Sequence, residues 1–288
     1  MYRQLRYYSM PIVKLVLFAI ALIVFALPVG ALQFIPAVDN LEDHYATILT
    51  EPLLMMSILG AMYVMTSMFV PSQLTDFFLS KRNFLKELLK GTLFGSIILS
   101  ICAVIAWFAG FVSFSVGEIN VGVFLLYSLY FLIVALFEEL LFRTYALFVL
   151  AETYPIPVAV GINGLLFGLL HSFNPGFTIL ALVNITLAGI LFSLFTLYYR
   201  SINWVVGIHL GWNFTQGILL GYKVSGTDMP GVLTAEPIGA SYLSGGGFGI
   251  EASLICTLIL TLIISYLAIK YKIKPVKRTE DYEFAGTR

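Results

Sequence analysis

Charge is what this chain lacks most. Of 288 residues only 11% are Asp, Glu, Lys or Arg, against the quarter usual in soluble domains. The 16 basic and 16 acidic residues balance, so no global field or basic groove points to nucleic acid as a partner. Cysteine is nearly absent. Cys102 and Cys256 both fall in apolar stretches with no CxxC spacing, which reads as two small core residues and not as a disulfide or metal site. There are three histidines, no HExxH, and no Gly-x-Ser-x-Gly elbow, so neither a single-helix zinc protease nor an α/β-hydrolase nucleophile is encoded. What fills the space is apolar: 59% of residues are hydrophobic and mean hydropathy is +0.94. These values predict an integral membrane protein.

A helix needs about 20 apolar residues to cross a bilayer. Eight stretches qualify, at roughly 13–35, 50–71, 91–115, 121–150, 157–173, 178–199, 203–222 and 250–271. The predicted fold is therefore all-α, a polytopic membrane protein of about eight transmembrane helices. It forms one transmembrane domain over 1–288, with no soluble domain and no short repeat. The first stretch follows Arg3, Arg6 and Lys14 and reads as a retained helix, because its apolar run is long and seven further spans follow. With the N-terminus inside, Arg3, Arg6, Lys14, Lys81, Arg82, Lys86, Lys90, Arg200, Lys270, Lys272, Lys274, Lys277, Arg278 and Arg288 all fall on the inner side, and Lys223 alone outside. The positive-inside rule then predicts a multi-pass cell-membrane protein with both termini cytoplasmic. The basic tail after Lys270 reads as a topology anchor able to touch anionic lipid. The connection from Tyr222 to Gly249, with its "SYLSGGGFG", reads equally as a flexible loop or a partly re-entrant lid.

Against this background a few polar residues stand out. Glu138 and Glu139 are adjacent within the fourth span, Arg143 is the one basic residue inside a span, and His171, His209, Asn163, Asn184 and Asn213 also fall within spans. Intramembrane charge costs several kcal/mol, so a cluster of it marks function by default. Glu139 and Arg143 are four apart and share a helix face, as do Phe167 and His171, and His209 and Asn213. Glu138 is turned by about 100° from Glu139, so the two carboxylates need not do the same job. Glu139 stands about 11 residues from the end of its span and His209 about six from the start of its own, a depth of about 10–17 Å below the cytoplasmic face. His171, about 14 residues into the fifth span, joins that layer only if its helix is tilted or starts deeper. Carboxylates and imidazoles around a membrane cavity suit the activation of water. A glutamate in a low dielectric is tuned towards neutrality, and histidine and asparagine can donate to a developing oxyanion. Two histidines with a glutamate also compose a zinc shell, Glu139, His171 and His209 being the set. Asn163 and Asn184 read as helix glue.

The order EExxxR (Glu138, Glu139, Arg143), FxxxH (Phe167, His171) and HxxxN (His209, Asn213) on successive spans resembles the CPBP, or Abi, family. That family holds the type II CAAX prenyl endopeptidases and the bacteriocin-processing and immunity proteins. The likeness runs over about residues 130–255, and the family core is expected at about 121–271. It implies an intramembrane endopeptidase whose cavity opens to the cytoplasmic side. In it Glu139, supported by Glu138, would work with His171 to activate water, and His209 and Asn213 would form the oxyanion site. Arg143 and Phe167 would be structural support. The implied partners are a peptide or lipidated-peptide substrate and membrane lipid. No cofactor is certain; zinc remains open, as does which glutamate leads. A non-proteolytic immunity or regulatory scaffold of the same fold is the alternative. A transporter with a Glu/His proton relay is a third reading, disfavoured by the lack of repeat halves and broken helices in corresponding positions.

Overall fold

A computed structural model describes residues 2–69, 74–118, 120–270, 273 and 276, with side chains from Tyr8 onward except at residues 74 and 75. Lys272, Lys274, Lys277, Arg278 and Arg288 lie outside the described residues, as do the side chains of Arg3 and Arg6. Among the described residues eight helices carry the expected spans. They are α1 (Tyr2–Gly30), α2 (Asp43–Phe69), α3 (Phe84–Phe108), α4 (Val121–Thr153), α5 (Ile156–Leu170), α6 (Ile179–Tyr199), α7 (Asn203–Phe214, prolonged by a π turn over Thr215–Leu219) and α8 (Leu254–Lys270). The first six are long and apolar enough to cross a bilayer, and α8 is a shorter apolar helix. Leu85, Leu89, Leu93 and Ile97 of α3, and Leu254, Leu258 and Leu262 of α8, lie exposed one turn apart, forming apolar stripes that only lipid can cover. The molecule is an all-α polytopic membrane protein.

Two departures from the expectation lie at one end of the bundle. The third helix stops at Phe108, where the apolar run had suggested continuation to 115. Val112–Val116 is instead strand β1, paired antiparallel with β2 (Leu233–Pro237), Val112 opposite Pro237 and Val116 opposite Leu233. Ala109 and Gly110 break the helix there, Gly110 with φ of 78°, and Val112, Phe114 and Val116 alternate with serines in a pattern that suits a strand. The Tyr222–Gly249 connection is a packed cap. Gln216 Nε2 donates to Lys223 O at 2.7 Å, Gly226 N donates to Phe248 O at 2.9 Å, and Phe248 and Ile250 are fully buried.

Helix contacts are closest where side chains are smallest. Gly91 and Gly95 of α3 face Gly207 and Gly211 of α7, and a Cβ built at any of the four would run into a backbone carbonyl of the opposite helix. Without a hydrophobic drive between helices in lipid, such small-xxx-small seams let backbones meet, and this one fixes the helix that carries His209 and Asn213. Gly211→Ala is therefore expected to lose about 1–3 kcal/mol by overpacking, read as a lower unfolding midpoint in detergent; an unchanged midpoint would show that the seam can spread freely.

The two ends of the bundle differ. At the N-terminal end Lys14 pairs with Glu152 at 3.7 Å, Ile202 N donates to Phe78 O, and Asn203 Nδ2 donates to Ser80 O at 3.0 Å and to Glu87 Oε2 at 3.1 Å. Phe77, Phe78 and Phe148 are buried there. At the opposite end lie β1 and β2, the segment from His171 to Thr178, and the cap.

Candidate active site

Helix α4 is continuous to Leu141 and then opens into a π turn over Phe142–Ala146, all five residues buried. Such a turn frees backbone groups that lipid cannot satisfy. Asn163 Nδ2 donates to Phe142 O at 2.9 Å, and Ser193 Oγ donates to Asn163 Oδ1 at 2.9 Å, so this asparagine holds the bulge in place. Asn184 ties α6 to the start of α8: its Nδ2 donates to Glu251 O at 2.7 Å and Ser253 O at 2.8 Å, and Thr257 Oγ1 donates to its Oδ1 at 2.6 Å.

The bulge begins one residue before Arg143 and sets its side chain beneath the two glutamates. Glu139 is fully buried, with Oε2 3.3 Å from Arg143 Nε and Oε1 accepting from His209 Nδ1 at 3.0 Å. The guanidinium is itself fully buried. It lies 4.4 Å from the Phe167 ring centre and 5.5 and 5.7 Å from those of Phe192 and Phe142, and donates to Gly189 O. Phe167 is thus an aromatic face for the arginine. Both oxygens of Glu139 are engaged behind His209, which holds that ring as an orienting carboxylate would.

Glu138 points the other way and lines a cavity of about 150 Å³ together with His171, His209, Asn213, Asn184 and Glu251. That is room for several waters. Its Oε2 lies 3.7 Å from His171 Nε2 and 3.9 Å from His209 Nε2. His171 Nδ1 is 2.9 Å from Phe167 O. A carbonyl only accepts, so Nδ1 carries the proton and Nε2 of the neutral ring is left as an acceptor. All the motif residues thus come together, but the two glutamates sit in different surroundings, as their 100° offset predicts. Glu139, expected as the water activator, is behind the cavity wall; Glu138 is on it.

The depth expectation is corrected. Glu139 is 14 residues before Thr153, about 21 Å along the helix and so near its middle. His209 is only six residues into α7 because that helix starts deep. Ser201, Ile202 and Asn203 are buried beneath the segment from Phe77 to Arg82. With α7 recessed, His171 at the end of α5 meets the same layer.

Sequence reading missed two acids. Glu251, at the edge of the last apolar stretch and in no motif, is buried in the cavity wall, with Oε1 accepting from Ser225 N and from Ser225 Oγ at 2.9 Å. Glu51 of α2 lies near enough to Glu138 and His209 to interact electrostatically, and its Oε2 is buried without a hydrogen-bond partner; as a lone acid near a helix start it carried no motif. Cys102 and Cys256, far apart in sequence, are both free and buried, as expected, and lie near enough to each other to interact electrostatically, which sequence does not show. His44 lies away from the site, its ring centre 4.1 Å from that of Tyr45 and tilted against it.

The donor set does not fit the zinc shell of Glu139, His171 and His209. Glu139 has one oxygen on a guanidinium and the other on His209 Nδ1. Among the described residues no three His, Cys, Asp or Glu side chains group as a metal site needs.

Residues 120–215 match the family model described as Type II CAAX prenyl endopeptidase Rce1-like. No curated protein and no solved structure matches the chain. The matched stretch holds Glu138, Glu139, Arg143, Phe167, His171, His209 and Asn213, and over it the chain is similar to the type II CAAX prenyl endopeptidases.

Proposed function

We propose that the protein is an intramembrane endopeptidase of the CAAX-protease type, hydrolysing a bond in a peptide or membrane-anchored peptide, with both termini cytoplasmic. The observation that carries this is the triangle of Glu138 Oε2 with His171 Nε2 at 3.7 Å and His209 Nε2 at 3.9 Å. A water at ordinary hydrogen-bond distance reaches all three atoms.

Glu138 takes the proton of that water as its oxygen attacks the scissile carbonyl carbon, and His171 Nε2 accepts its second hydrogen bond and fixes its direction. The carbonyl oxygen becomes an oxyanion. It faces Asn213 Nδ2 and, once His209 is an imidazolium held at Nδ1 by Glu139, the Nε2–H of His209. As the intermediate collapses, the C–N bond breaks and Glu138 returns the proton to the amine nitrogen, leaving a carboxylic acid and an amine. No step passes through a metal.

The purified protein, set against a library of candidate peptides with and without a chelator, tests this directly. Cleavage is expected in both conditions, and Asn213→Ala is expected to lower kcat by about 10²–10³-fold, as for other single oxyanion donors. Wild-type rates in Asn213→Ala would remove the oxyanion assignment, and loss of cleavage on chelation alone would replace the water-activation scheme with a metal.

A further inference from the structure

The connecting segments that border the cavity all come from one end of the bundle. Asn174 follows α5, Ser225, Thr227 and Met229 belong to the cap, and Glu251 precedes α8. Helix direction alternates, so all of these lie at the end opposite the N-terminus. That end is tied together by β1–β2 pairing, by Ile238 N donating to Phe111 O, and by His44 Nδ1 lying 3.4 Å from Tyr127 Oη. No segment of the N-terminal end lines the cavity. On that side it is floored by the buried Glu139–Arg143 layer, and beyond this lie Phe77, Phe78 and Phe148.

Charge separates the same two ends. Lys14, Lys81, Arg82, Lys86, Lys90, Arg200 and Lys270 sit at the N-terminal end, where Arg3 and Arg6 also fall in sequence. The cavity end has Lys223 as its one basic residue among those described, paired with Asp228 at 2.8 Å. Lysine and arginine mark the cytoplasmic side of a multi-pass protein.

We infer that the cavity is reached from the extracytoplasmic face, so that the peptide it takes is one presented at the outer surface of the membrane. The substrate class is a translocated, secreted or outward-anchored peptide. The assignment of a peptide rests on the protease reading above; the sidedness rests on geometry and charge alone. The cytoplasmic opening expected from the family resemblance is incompatible with both observations taken together. Either the cavity opens outward or the basic end is not inside, and the basic end carries the heavier constraint.

The test is thiol labelling of intact cells with a membrane-impermeant maleimide. Thr227 and Lys86 are exposed, one at the cavity edge and the other at the basic end, and the native Cys102 and Cys256 are buried. Thr227→Cys is expected to label in intact cells and Lys86→Cys only after permeabilisation, with the unsubstituted protein silent. Asp228→Cys, also exposed at the cap, serves if Thr227→Cys fails to accumulate. Labelling of the cap cysteine only after permeabilisation overturns the inference, whether or not cleavage occurs. Labelling from outside without cleavage of any outward-displayed peptide leaves the sidedness standing and removes the protease reading instead.

Discussion

Glu138→Gln is expected to lower the cleavage rate by about 10²–10⁴-fold, the range of a lost general base, while leaving the unfolding midpoint near wild type. The amide keeps the volume and the cavity wall but cannot accept a proton from water. Because Glu138 acts in the transition state and not as a substrate anchor, kcat and kcat/KM are expected to fall together. The stability half of the prediction comes from its surroundings. Glu138 is only partly buried, and its nearest polar neighbours are two imidazoles at 3.7 and 3.9 Å, contacts too long to hold much folding energy. A variant that cleaves at the wild-type rate would show that the proton goes elsewhere, and Glu251 and Glu51 would be the next carboxylates to test.

Arg143→Met is expected to be the most destabilising single change at the site, costing about 3–5 kcal/mol, the range found when one partner of a buried ion pair is removed. Arg143 and Glu139 are both fully buried, 3.3 Å apart. Deleting the cation leaves the carboxylate with His209 as its one remaining partner in a low-dielectric interior. Adding Glu139→Gln to Arg143→Met is expected to restore part of the loss, because the uncompensated charge goes with it. A double-mutant cycle on unfolding midpoints measures that coupling. Additive effects would mean that the pair does not act as a unit.

The two predictions separate the adjacent glutamates by role. Their difference is half legible in sequence. An offset of about 100° means that the two need not share one environment, and four-residue spacing gives Glu139 to Arg143. Which of them meets water is not legible, because it depends on where α6 and α7 stand. Phe192 and Gly189 come from α6 and His209 from α7, and together they enclose the Glu139 side. The same holds for Glu251 and Glu51, isolated acids whose place near the site comes from the return of the chain over long sequence separations. The cap shows the limit most plainly: a Gly-rich segment has no periodicity to read, and its compactness comes from single contacts such as Gln216 to Lys223 O.

By itself the sequence determined the membrane solvent, the all-α class and the residues of the three motifs. Hydrophobic run length, charge scarcity and i, i+4 spacing are local quantities and survive without any knowledge of neighbours. The tertiary structure decided which glutamate lines the cavity, that α7 starts deep enough to bring His209 level with His171, and which end of the bundle borders the site. Those are relations between helices, set by glycine seams that fix how closely and at what height two backbones meet, and no single stretch of chain contains them.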